Sequence, residues 1–414
     1  MLRATFTLLT GGALAQLVPL LLGPVLARLF SPEAFGLFTA FATIAASVAV
    51  VACARYEYAL PMAHDDAEAA ALLSLALRIW VGVVALSVPL AWVLHAAGRL
   101  AVAWALPLSV AATGLLQLLM MWSNRAEAYG ALAASRFVQY AGAALLQVAL
   151  GWWLWRGSAA GADAAWALVL GPVIAVALAA PLLARTAPAG GWSALWRVPG
   201  HAMRSVARRY RDFPLLNTPH AFLGTLQDAL AVALLVAWSG EAAAGFWGLA
   251  LRYLKAPATL VGSAVSQALY PRLAAAAADE APRLVRQVMA LLALPALGLM
   301  ALLLVAGPWL FEGLFGAPWR EAGELARALA PYIAAHFVAA PLAVVTMAWD
   351  AQRWAFRLAL VGQALFVAAL AIGLMQGGLI GGAWAVSAVM VPYFGWYFWR
   401  LARWPQVPAR EVGA

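Results

Sequence analysis

The sequence predicts an all-α polytopic membrane protein of about twelve transmembrane helices, arranged as two six-helix bundles around a central cavity. Three observations predict it. Hydrophobic residues make up 65% of the 414 and charged residues only 10%, where a soluble domain carries about 25% charged residues. Apolar runs of about 20 residues, the length that crosses a bilayer core at roughly 1.5 Å per residue, recur along the whole chain. The runs are continuously apolar rather than alternating, so each satisfies its own backbone as a helix and a barrel is not implied.

The spans follow in order. Residues 5 to 27 form the first and carry Gln16 with Pro19 and Pro24; the run is too long for a signal-peptide core and lacks a small-residue cleavage site, so it reads as an anchor. The second, 34 to 54, holds the lone Cys53, which excludes an intrachain disulfide and a Cys-cluster metal site and reads as a small packing residue. Spans 69 to 94, 100 to 122, 131 to 155 and 164 to 185 complete the first half and contain Arg78, Gln117 and Gln147. After a break come 214 to 238, with Asn217 and Asp228, and 243 to 269, with Arg252, Lys255, Pro257 and Gln267. Spans 286 to 310, 325 to 348 (with Pro331 and Pro341), 354 to 375 and 379 to 400 close the chain. Each proline removes a backbone donor and permits a bend, although prolines are also ordinary in membrane helices.

Orientation follows from basic residues, which stay on the cytoplasmic side during insertion. With the N-terminus inside, the inner segments hold 18 Arg, from Arg3 and Arg55 to Arg403 and Arg410, against five outside: Arg28, Arg99, Arg156, Arg320 and Arg327. The prediction is a multi-pass protein of the cytoplasmic (inner) membrane with both termini cytoplasmic. The net charge of +9 then reports orientation. No polar basic domain exists to present a nucleic-acid surface. The five His show no metal-binding spacing, and no cofactor is implied.

The longest break, 186 to 213, carries Trp192, Trp196 and an Arg-rich second half, the composition of a basic amphipathic linker on the inner leaflet. It divides the chain into 1 to 185, the linker, and 214 to 414. SPEAFGLF at 31 to 38 and SGEAAAGFWGL at 239 to 249 stand at equivalent places in the two halves, between their first and second spans. A duplicated set of six spans gives two parallel bundles enclosing a cavity.

Several stretches then point to a family. GGALAQLVPLLLGPVLARLFSPEAFGLF and RYEYALPMAHDDAEAAALLSLAL near the start are joined by WSNRAEAYGALAASRFVQ, RYRDFPLLNTPHAFLGTL, AGFWGLALRYLKAPATLVGSAVSQALYPRLA and FGAPWREAGELARALAPYIAAHFVAAPL. Together they resemble bacterial polysaccharide flippases, the Wzx-type O-antigen and exopolysaccharide transporters of the MOP (MATE-like) superfamily, over nearly the whole chain. The resemblance implies alternating access and a lipid-linked oligosaccharide as cargo. Lipid II, or the cargo of another MOP exporter, is the alternative. Beyond membrane lipids, the partners it implies are a polysaccharide polymerase, chain-length machinery and a coupling H⁺ or Na⁺.

Charges inside the spans supply the candidate site. Arg252 lies eleven residues past Glu241 and Asp228 eleven before Ser239, which puts both roughly 16 Å deep in a core about 30 Å thick. Lys255, the only lysine, is one turn from Arg252 on the same face, and Arg78 lies ten residues past Glu68. A charge facing lipid at such depth costs about 3 kcal/mol or more, so these groups face protein or water. One reading is a cationic cavity in which Arg252, Lys255 and Arg78 grip the diphosphate or acidic sugars of an undecaprenyl-linked cargo, with Arg55 at the cytoplasmic mouth. The other is an internal ion-pair set with Asp228 as the counter-charge. Asp228 is also the candidate for ion coupling. Gln16, Gln117, Gln147, Asn217 and Gln267 are candidates for sugar hydroxyls or for bonds between helices.

A membrane-embedded glycosyl- or acyltransferase would need a catalytic His, an activated nucleophile, or paired carboxylates on an exposed loop. The nearest approach is His64-Asp65-Asp66, which reads as a solvated turn, and the external connections are too short for a substrate-holding domain.

Overall fold

The computed structural model describes residues 2–156, 162–188, 190–276 and 280–404, and every regular element among them is helical. Arg410, counted above as cytoplasmic, lies outside the described residues.

Local chemistry sets the helix boundaries. Helix α1 (Leu2–Leu29) stops at Ser31, whose extended backbone and hydroxyl, accepting from the amide of Ala34 at 3.4 Å, start α2 (Pro32–Ala49) with Pro32 in its first turn. Beyond α2 the chain reverses through Ala54 (φ 49°) and Arg55 (φ 62°) into a 3-10 turn, Tyr56–Met62. Two consecutive non-glycine residues in the left-handed region store strain. Asp65 then caps α3 (Asp66–Ala96): its carboxylate accepts from the amide of Glu68 at 2.7 Å, while that of Glu68 accepts from the amide of His64 at 2.8 Å.

Helix α4 (Leu106–Arg125) is followed by α5 (Tyr129–Phe137), which continues through one wide turn, Val138–Gly142, into α6 (Ala143–Arg156) as a single pass. Next come α7 (Ala162–Ala184), the linker helix α8 (Gly200–Arg209), and the long α9 (Thr218–Ala275). Helices α10 (Ala281–Phe315), α11 (Arg320–Ala339), α12 (Ala343–Ala348) and α13 (Gln352–Ala402) complete the order.

Among the described residues nine helical stretches are long and apolar enough to cross a membrane. Two of these, Phe213–Ala275 and Gln352–Ala402, are 63 and 51 residues long, far more than the roughly 20 that span a bilayer. Each is broken by glycine: Gly240 (φ 84°) in the first, and Gly377 with Gly378 (φ 57°) in the second. Dividing them there and adding α1 gives twelve membrane-length segments, as the apolar runs predict. The chain is a multi-pass, all-α membrane protein.

It forms two compact units, Met1–Val232 and Ala233–Ala414. In the first, Leu37, Phe41, Val110 and Val169 make one buried cluster, and Leu60, Leu72, Leu73 and Trp122 make another against the linker residues Leu195, Val206 and Tyr210. In α8, Met203 and Val206 are buried while Arg204, Arg208 and Arg209 are exposed, so the linker is amphipathic. It is also pinned. The hydroxyl of Ser74 donates to the carbonyl of Leu195 at 2.7 Å, that of Tyr56 to Ala207 at 3.3 Å, and Arg209 pairs with Glu68 at 3.0 Å.

In the second unit α10 and α11 approach backbone to backbone. A Cβ on Gly323 would lie 2.5 Å from the Cα of Pro308 and 2.6 Å from the carbonyl of Gly307. The two arms of α13 meet similarly, since a Cβ on Gly373 would lie 2.6 Å from the carbonyl of Gly381. One turn recurs in both units. After α4, Ala128 donates its amide to Ser123 at 2.9 Å around Glu127 (φ 53°); after α12, Ala351 donates to Thr346 at 2.8 Å around Asp350 (φ 52°). Both turns hold an acidic residue in the left-handed region.

Candidate functional site

The first unit holds a polar corner where α2 ends. The guanidinium of Arg55 lies 4.6 Å from the ring centroid of Tyr58, and the Tyr58 hydroxyl accepts from the side-chain amide of Gln117 at 3.0 Å. Arg125, at the last turn of α4, donates to the carbonyls of Ala63 at 2.6 Å and Leu60 at 3.5 Å and pairs with Asp66 at 3.2 Å, which fixes the strained turn to the neighbouring helix. Glu57 sits inside this corner, 3% exposed, and its Oε2 has no hydrogen-bond partner among the described residues. Burial pushes its carboxyl up to about 7, against smaller lowering contributions from a backbone hydrogen bond and from Arg55. A carboxyl poised there exchanges a proton near neutral pH.

In the second unit Arg252 and Lys255 lie one turn apart on α9, both half-buried. Lys255 stands near His336 on α11. His336 stacks on Tyr332 at 5.9 Å between centroids and lies 6.2 Å from Phe394, so the lysine stands beside an aromatic wall. Tyr253, between the two cations, packs edge-on against Phe315 at 4.8 Å. This segment therefore presents two cations on a protein-packed helix, an arrangement suited to an anion.

The other predicted residues divide by surroundings. Arg78 is exposed and donates to the carbonyl of Trp196 at 3.2 Å, so it lies level with the linker. Helix α3 is 31 residues long, and its first turns carry the linker. Gln147, 4% exposed, donates to the carbonyl of Leu168 at 2.7 Å and ties α6 to α7. Gln16, Asn217, Asp228 and Gln267 are exposed. Asp228 belongs to the first unit, Arg252 and Lys255 to the second. Glu57, Arg125 and His336 carried no weight in the sequence reading. The RYEYALP stretch was the available signal for Glu57, but only packing reveals that this carboxylate is buried while Arg55 beside it is not.

Comparison with solved structures places the architecture. The lipid II flippase MurJ in an inward closed conformation superposes with a TM-score of 0.68 at 11% identity, covering 97% of this chain and 89% of that one. An inward-facing multidrug resistance MATE family transporter of the MOP superfamily gives 0.58 at 12%, covering 96% and 95%. The Vibrio cholerae MATE transporter VcmN gives 0.56 at 17%, covering 97% and 95%. At these identities the likeness is one of fold, and no curated protein sequence matches the chain. The sequence profile of the family described as polysaccharide biosynthesis protein matches residues 25–324, the greater part of the chain. The chain belongs to that family.

Proposed function

We propose that this protein carries an undecaprenyl-diphosphate-linked oligosaccharide from the inner to the outer leaflet of the bacterial cytoplasmic membrane by alternating access, for O-antigen or exopolysaccharide assembly, and that it is not an enzyme. The observation that carries the reading is the Arg252–Lys255 pair, two half-buried cations one turn apart within an apolar pass, in a chain of a polysaccharide biosynthesis family. A cation facing lipid costs about 3 kcal/mol or more, so both groups face protein or water, and a guanidinium fork beside an ammonium suits a diphosphate.

Both termini lie on the cytoplasmic side in this reading, and the cargo's polymerase and chain-length machinery act on the far side. A carboxyl that takes up H⁺ or Na⁺ as cargo leaves supplies the coupling. Asp228 is the candidate within a pass, and Glu57 is the one that burial adds.

The test is removal of both charges, Arg252→Gln with Lys255→Gln. Surface polysaccharide is expected to disappear while the protein remains inserted in the membrane. Normal polysaccharide from the inserted double variant would refute the cation site. The likeness to a lipid II flippase fold supports a second reading, in which the same cations hold the diphosphate of lipid II. Complementation of a strain depleted of its lipid II flippase separates the two, because growth there requires peptidoglycan and not surface polysaccharide.

A further inference from the structure

Away from the candidate site, the two arms of α13 frame a groove of about 560 Å³. Leu358, Val361 and Leu365, spaced along one face of the first arm, stand across from Val389, Pro392 and Tyr393 on the second. Val361 is 53% exposed and Leu365 39%, so the groove opens sideways from the helix pair. Along a membrane pass that side is hydrocarbon.

The floor is built rather than incidental. The hydroxyl of Tyr393 donates to the carbonyl of Leu358 at 2.9 Å, which turns the polar end of the ring inward. Gly362 makes room for it, since a Cβ there would sit 2.5 Å from that hydroxyl. Pro392 has no amide hydrogen to offer the preceding turn, which removes one backbone bond from the second arm at the groove.

One end of the groove is different in kind. Arg357 is the single charged side chain in its lining, exposed, and without an ion pair among the described residues. Trp354 and Trp396 flank it, their rings 6.0 Å apart, as aromatics do at a headgroup boundary. Arg353, Arg400 and Arg403 lie at the same end of the hairpin and reinforce the positive sign. An apolar trough closed by one guanidinium matches a hydrocarbon chain attached to one phosphate, which the guanidinium fork can grip in bidentate fashion. A diphosphate would call for a second cation in the lining.

We infer that the α13 hairpin binds one anionic glycerophospholipid of the surrounding bilayer, with its phosphodiester on Arg357 and an acyl chain between Leu358, Val361 and Tyr393. A zwitterionic lipid carries its own ammonium beside the phosphate and competes poorly for the same fork.

Native mass spectrometry of the full-length protein tests this, by titration with phosphatidylglycerol, phosphatidylethanolamine or undecaprenyl phosphate. Phosphatidylglycerol is expected to fill one site about tenfold or more tighter than phosphatidylethanolamine, the size of one charge-assisted contact. Arg357→Gln should abolish that preference while Arg357→Lys keeps most of it. Val361→Trp, which fills the trough, should reduce binding of both phospholipids, whereas Val81→Trp on another exposed apolar surface should reduce neither. Equal affinity for the two phospholipids, an unchanged preference in Arg357→Gln, or tighter binding of undecaprenyl phosphate than of phosphatidylglycerol would overturn the assignment.

Discussion

Arg78 donates to the carbonyl oxygen of Trp196 at 3.2 Å, joining α3 to the linker across 118 residues. One turn earlier, Ser74, 1% exposed, makes the parallel bond to Leu195. The linker is thereby a structural part of the first unit, and its Arg-rich outer face is held at one height on α3.

Loss of these two bonds should free the linker. Ser74→Ala removes a buried donor from the carbonyl of Leu195, which keeps only the long bond from the amide of Val198 at 3.4 Å, at a cost of about 1 kcal/mol. Combined with Arg78→Ala, it is expected to speed tryptic cleavage at Arg197 and Arg204 several-fold, measured by limited proteolysis in detergent. An unaltered cleavage rate would mean that the buried cluster around Leu195 and Val206 holds the segment unaided.

Glu57 should make stability depend on pH. Its folded carboxyl is raised to about 7 from 4.5, so the protonated form is the one that folding favours. The contribution is complete below pH 4.5 and is lost as pH rises through about 7. Ionisation in place opposes folding by up to about 3 kcal/mol, from 1.36 kcal/mol per pH unit. Glu57→Gln is expected to raise the unfolding temperature at pH 8 and to leave it nearly unchanged at pH 5. Identical pH profiles for the two proteins would exclude this carboxyl as the titrating group.

Asp228 and Glu57 are separable as coupling groups. If Asp228 couples, Asp228→Asn alters the dependence of vesicle transport on a pH or Na⁺ gradient, while Glu57→Gln leaves that dependence in place. The reverse pattern assigns coupling to Glu57. Gradient dependence unchanged in both variants removes each from the mechanism.

The α10–α11 contact should not tolerate a methyl group. At Gly323 the obstructing atoms belong to the backbone of Gly307 and Pro308, which cannot rotate aside, so Gly323→Ala is expected to destabilise by about 1–3 kcal/mol. Gly395 has nothing within 4 Å of its added Cβ, and Gly395→Ala should be neutral or stabilise by about 0.5–1 kcal/mol through helix propensity. Thermal unfolding of the two variants side by side checks the contrast; equal shifts would show that helix packing does not depend on this close approach.

The sequence by itself determined the class of the molecule. Continuous apolar runs dictate membrane helices, because a hydrocarbon core admits no other open-ended way to satisfy the backbone. The gaps between apolar runs at 239 to 242 and 376 to 378 bracket the breaks at Gly240 and Gly378, and the exclusion of charge from lipid singled out Arg252 and Lys255. Tertiary structure decided what each polar group meets. Counting along α3 could not show that a linker 118 residues distant would take up Arg78, nor that Gln147 would bond across to Leu168. It also could not separate Arg55, stacked on the ring of Tyr58, from Glu57 two residues on, buried with one oxygen unpartnered among the described residues. Periodicity along one helix fixes direction around its axis, but burial and charge state depend on which distant segment packs there, and that is settled only when the helices assemble.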